Sequence, residues 1–179
     1  MPMVKLLLGH GCTSDMKDEK GIGVVSHAPL ARSVEVLQFL AEHGLALDVR
    51  SANGYTPMHE AALNGNKDVI ELLLAKGAAV DAASVRKSTP LHMAASYGHK
   101  EVVELLLAKH AAVDTVNLKN ETPLILAAYV DGGEDVVELL LNKEANMNIV
   151  AIDGKTALQL AVDQNKEAVV NLLRARGAQ

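Results

Sequence analysis

Thr56-Pro57-Met58-His59 recurs as Thr89-Pro90-Leu91-His92 and then, with its last position changed, as Thr122-Pro123-Leu124-Ile125 and Thr156-Ala157-Leu158-Gln159. The four threonines are spaced by 33, 33 and 34 residues. A period of that size encodes a small supersecondary unit that buries its apolar face only by stacking on its neighbours. The chain is therefore expected to be a linear array rather than one globular core closed by long-range contacts, which weakens any case for an enzyme.

The alignment extends outward from that motif. Ala61-Ala62, Ala94-Ala95 and Ala127-Ala128 follow each Thr-Pro start at the same distance. Then come Val69-Ile70-Glu71-Leu72-Leu73-Leu74, Val102-Val103-Glu104-Leu105-Leu106-Leu107 and Val136-Val137-Glu138-Leu139-Leu140-Leu141. Each unit closes on an apolar residue followed by an acid or amide: Val80-Asp81, Val113-Asp114 and Met147-Asn148.

Local chemistry turns this pattern into helices. Thr56 and Thr89 can cap a first helix, with Pro57 and Pro90 at its first position, where a missing N–H costs nothing. Gly65 and Gly98 end it, because glycine takes the left-handed conformation freely. Asn66 and His99 open a second helix with a wide apolar face. Its first turn holds Asp68, Glu101 or Asp135 and its last turn Lys76, Lys109 or Lys143, an order that complements the helix dipole.

These motifs resemble the ankyrin repeat, with its Thr-Pro-Leu-His-x-Ala-Ala start, Gly-His turn, Val-Val-x-Leu-Leu-Leu helix and Gly-Ala-x-Val-Asn close. The resemblance covers roughly residues 23 to 179 and implies an all-α solenoid of stacked antiparallel helix pairs joined by β-hairpin-like turns. The expected division is a partial unit at 1–22, a degenerate unit at 23–55, full units at 56–88, 89–121 and 122–155, and a C-terminal capping unit at 156–179. The array thus starts at a second helix, Met3-Val4-Lys5-Leu6-Leu7-Leu8, and the first helix of the next unit is expected to be short, shifted or kinked at Pro29. One residue is inserted within Tyr129-Val130-Asp131-Gly132-Gly133-Glu134-Asp135, a turn, where an insertion costs little.

Composition narrows the function classes. Hydrophobic residues make up 49% of 179 residues while aromatics make up 2%, so burial rests on Ala, Leu and Val. The net charge of −5 argues against a nucleic-acid partner, which requires concentrated positive surface. Cys12 is the single cysteine, so neither an internal disulfide nor a cysteine-based zinc site can form. The apolar run at the start is too short for a signal peptide or a membrane span. A cytoplasmic location is expected, with the nucleus as the alternative.

The catalytic motifs fail one by one. His59-Glu60 opens like a zinc-protease helix, but the second histidine it needs is Leu63. Gly21-Ile22-Gly23-Val24-Val25-Ser26 imitates a dinucleotide loop, ends in Ser and follows no strong strand. Cys12 has no base partner in view. Asn120-Glu121-Thr122 fits a glycosylation sequon, but Thr122 serves as a helix cap. No cofactor or metal is expected.

The resemblance instead implies that His59 and His92 tie units together through backbone near the turns, and that a concave strip of hairpin tips and first helices docks a partner protein. Carried over residue by residue, the strip comprises Asn53, Tyr55, Leu63 and Asn64, then Arg86, Ser88, Ser96 and Tyr97. Lys119, Glu121, Tyr129 and Val130 follow, then Asp153, Lys155, Asp163 and Gln164. All three tyrosines of the chain fall on it, and tyrosine suits interface hot spots. Acids crowd its C-terminal part, which suggests a basic or mixed partner segment there.

Asn148 occupies the turn position at which the family is hydroxylated on asparagine, with turn stabilisation as the competing role. The leading expectation is a non-enzymatic, monomeric protein-binding scaffold. The alternatives are self-association through an uncapped face at Val4, Leu6, Leu7 and Leu8, or the binding fragment of a larger protein.

Overall fold

The computed structural model describes residues 34–42 and 47–179. The expectations for the unit at 1–22, for Cys12, for the glycine-bearing turn at 21–26, for Pro29 and for the apolar Val4, Leu6, Leu7 and Leu8 lie outside those residues.

The described helices are α1 (Val34–Glu42), α2 (Pro57–Leu63), α3 (Lys67–Ala75), α4 (Pro90–Ser96), α5 (Lys100–Ala108), α6 (Pro123–Ala127), α7 (Glu134–Asn142), α8 (Ala157–Asp163) and α9 (Glu167–Ala175). No strand occurs among the described residues. α2, α4, α6 and α8 pack on one another in chain order, as do α1, α3, α5, α7 and α9, and each first helix also packs on the second helix that follows it. Two helical layers therefore run the length of the stack.

The caps explain where these short helices begin and end. The Oγ1 of Thr89, Thr122 and Thr156 accepts from the N–H of His92, Ile125 and Gln159 at 3.5, 3.2 and 3.3 Å. Asn66 and His99 stand at the N-caps of α3 and α5, as the sequence suggests. Lys76, Lys109 and Lys143 do not lie in the last helical turn, contrary to expectation. They are the C-cap residues themselves, one position further on, because the left-handed residue that follows each closes the helix there. That closing residue is Gly77 in one unit but His110 (φ 64°) and Glu144 (φ 61°) in the next two.

The core is built from equivalent positions of successive units. Met58, Leu91 and Leu124 are buried, as are Ala61, Ala94 and Ala127, Ile70, Val103 and Val137, and Leu73, Leu106 and Leu140. Burying each of the larger side chains contributes about 1.5–3 kcal/mol. In the last described unit the pattern lapses on the outward face: Val162, equivalent to the fully buried Ala62, Ala95 and Ala128, is 46% exposed. Val170, equivalent to Val137, is half-buried.

The inserted residue is absorbed at the N-cap of α7. Asn66, His99 and Lys166 hold that position with ψ between 71° and 78°, whereas Gly133 takes φ −78°, ψ −4°. A Cβ on Gly133 would lie 2.3 Å from the carbonyl oxygen of Ala127. Only glycine lets the backbone approach that closely.

Candidate functional site

The hairpin tips form one continuous row. Val85 N–H donates to the Asn53 carbonyl (3.0 Å), Leu118 N–H to Arg86 (2.9 Å) and Ile152 N–H to Lys119 (2.8 Å). Within each hairpin the turn is closed by its own backbone bonds, such as Ser84 N–H to Ser88 and Asn117 N–H to Glu121 (2.9 and 3.1 Å). Side chains reinforce the row: Arg50 donates to the carbonyls of Gly54 and Ala83, and Asn120 Nδ2 to that of Val150. Lys87 (φ 58°) and Asn120 (φ 57°) hold the left-handed turn position that Gly54 and Gly154 fill elsewhere. A row of ordered tips presents its side chains with little left to lose on binding.

Buried histidines fasten the row to the helices. Thr56 N–H donates to Nδ1 of His59 at 3.1 Å, so the ring proton sits on Nε2 and is donated to the Ser88 carbonyl at 2.9 Å. His92 repeats the arrangement with Thr89 and the Glu121 carbonyl, at 3.1 and 3.0 Å. Burial pushes the His59 imidazole down to about 4, outweighing the opposing bond to Ser88. It lowers His92 as well. Gln159 keeps half of this device: its Oε1 accepts Thr156 N–H at 2.8 Å, but no further unit is described for it to reach.

His99 makes a third tie that sequence reading missed. Its Nε2 bonds the Leu63 carbonyl at 2.9 Å, across from one unit to the next. The signal was the Gly98-His99 pair, read only as a turn and a helix start.

The strip expected from sequence is divided by burial. Asn53, Arg86, Lys119 and Asp153 are exposed at the tips, and Tyr97, Asp163 and Gln164 are exposed at the first-helix ends. Tyr55, Leu63, Asn64, Ser96, Glu121, Tyr129, Val130 and Lys155 are half-buried. Ser88 is buried and belongs to the scaffold: its N–H donates to Ser84 Oγ and its carbonyl receives His59. It is removed from the set of contact residues. Tyr55 stacks on His59 with centroids 5.2 Å apart and Tyr97 on His99 at 6.3 Å, and burial raises the Tyr129 hydroxyl above its ordinary value; the exposed Tyr97 is the tyrosine most open to a partner.

The charges also differ from expectation. Asp163 pairs with Lys155 at 2.6 Å, Asp131 pairs with Lys166, and Glu121 Oε2 accepts from Asn117 Nδ2 at 2.8 Å. The C-terminal acids are thus largely engaged. Arg86, Lys87 and Lys119 make no ion pair among the described residues.

Sequence reading overlooked the residue just before each tip cation or acid. Val85 is 67% exposed, Leu118 58% and Ile152 77%. These three aliphatic side chains occupy equivalent positions on successive tips, each on the residue whose N–H builds the ladder. Their spacing of 33 and 34 residues was visible, but an aliphatic residue in a repeat is read by default as core. Among the described residues no group of three His, Cys, Asp or Glu side chains could hold a metal ion. None of the described helices is long and apolar enough to cross a membrane.

Stacked helix pairs with ordered tips define a repeat protein whose recurring residues are scaffold and whose outward ones vary. A family model described as ankyrin repeats (3 copies) matches residues 1–84 and 91–179, and one described as ankyrin repeats (many copies) matches residues 66–107. The chain belongs to the ankyrin-repeat family. Ankyrin repeats generally act as protein–protein interaction modules, and the family is typically non-enzymatic. A comparison with curated proteins gives no match.

Proposed function

We propose that this chain is a non-enzymatic binding module that holds a partner protein along its tip row and first helices. The observation that carries this reading is the exposed row of Val85, Leu118 and Ile152 on hydrogen-bonded tips. Three large aliphatic side chains held in water at one repeated position give up solvent exposure when a partner covers them, at about 25 cal/mol for each Å² of apolar surface. Tyr97, exposed at the C-cap of α4, extends the surface to the far end of that first helix. The scaffold is built before the partner arrives, so little ordering opposes association.

The test is capture from native lysate by wild type and by the combined Val85→Ser, Leu118→Ser, Ile152→Ser variant. Loss of the captured protein with unchanged helical content supports the reading. An unchanged captured set removes it.

A second role attaches to Asn148. The equivalent Asp81 and Asp114 accept the N–H of Ala112 and Asn146 from the following unit. Asn148 is exposed and its side-chain amide makes no hydrogen bond among the described residues, so it stays open to a modifying hydroxylase. Intact-mass measurement on protein from its native source should show one added oxygen; its consistent absence rejects this role.

A further inference from the structure

We infer that the partner presents an extended segment with an aliphatic side chain at every third residue and with carboxylates between them. This rests on the tip row being the docking surface and concerns what that surface selects.

The periodicity comes from the ladder. Each hairpin donates a backbone N–H to the preceding tip and accepts one from the following tip on the carbonyl of the adjacent residue, as Val85 and Arg86 do. One unit therefore spans two inter-strand spacings, roughly 10 Å between Val85 and Leu118 and again between Leu118 and Ile152. A pleated strand repeats a face about every 7 or 13 Å and misses that spacing. A polyproline-II segment returns to the same face after three residues and about 9 Å, so its every third side chain meets one tip.

The charge preference comes from the cations beside the first two of those aliphatics, Val85 and Leu118; Ile152 is followed by Asp153. Arg86, Lys87 and Lys119 are exposed and carry no ion pair among the described residues, although Lys155 and Lys166 in the next units are paired. Carboxylates between the aliphatic anchors lie against these cations, and a basic segment is repelled. Asp131 and Asp163 are already paired with lysines, whereas Asp153 beside Ile152 is exposed and accepts only the Lys155 N–H, so the carboxylates of the segment belong beside Val85 and Leu118.

Three fluorescein-labelled peptides test this by anisotropy, each with Leu at every third position and with Glu, Gln or Lys at the positions between. The Glu peptide should bind at least about tenfold more tightly than the Gln peptide, with an affinity that falls as salt rises. The combined Arg86→Glu, Lys87→Glu, Lys119→Glu variant should reverse the order and favour the Lys peptide, with its thermal midpoint unchanged. Equal binding of the Glu and Gln peptides, tighter binding of the Lys peptide, or binding of none overturns the inference. Retention of Glu-peptide affinity by the Val85→Ser, Leu118→Ser, Ile152→Ser variant is a different failure, and that one removes the tip-row reading itself.

Discussion

Nε2 of His59 lies 2.9 Å from the carbonyl oxygen of Ser88, so the helix of one unit holds the turn that starts the next. His92 does the same for Glu121. Each imidazole accepts a threonine N–H on one nitrogen and donates from the other, which requires the neutral ring. Protonating Nδ1 sets an N–H against the threonine N–H and puts a charge into a buried site, although Nε2 can still donate to the carbonyl.

The stack should therefore lose stability in acid. The His59 pKa is about 4 folded, against roughly 6.5 unfolded, and His92 is shifted the same way. The unfolded chain binds more protons between those values, so the contribution is complete above about pH 6.5 and is lost as pH falls toward 4. Each histidine contributes a slope of at most about 1.4 kcal/mol per pH unit. Ile125 fills the same position without any polar tie, so a His59→Ile, His92→Ile variant should flatten the dependence. Urea unfolding across this range reads the slope, and a slope that survives the double variant contradicts the account.

Gly133→Ala should destabilise by about 1–3 kcal/mol, because its Cβ meets backbone and not a side chain that can turn aside. Gly132→Ala has open space but a φ of 73°, so it should cost about 1 kcal/mol. Thermal melts of the two variants should rank in that order. The reverse order would mean that the turn rearranges freely.

His110→Gly and Glu144→Gly should each stabilise by about 0.5–1 kcal/mol, since both residues sit at left-handed helix ends where Gly77 and Gly177 stand in other units. Unfolding midpoints check this, and a loss of stability on either substitution counts against strain at that cap.

The tyrosines should separate. Tyr97→Ala should weaken partner binding with little effect on melting, because the ring is 57% exposed. Tyr55→Ala should lower the melting midpoint, because that ring is half-buried and stacks on His59. Matched calorimetric melts and binding curves distinguish the two, and equal melting losses would undo the distinction.

The architecture could be read from the chain because its period, threonine caps and terminal glycines are local features that repeat at fixed offsets. The proposed binding surface could be read only in part. Arg86, Lys119 and Asp153 are exposed, whereas Ser88, expected on the same strip, is buried. Its burial depends on a histidine 29 residues away. The pairing of Lys100 with Asp135 and of Lys166 with Asp131 crosses units at an offset of 35, which no local pattern announces. Val85, Leu118 and Ile152 were passed over because hydrophobicity alone does not say which side of a turn faces water.

Methyl chemical shifts measured during titration with the captured partner test the docking surface most directly. The methyls of Val85, Leu118 and Ile152 should move on binding, while those of Leu72, Leu105 and Leu139, half-buried on the second helices, stay in place. Shifts confined to the second-helix leucines, with the tip methyls unmoved, would contradict the account.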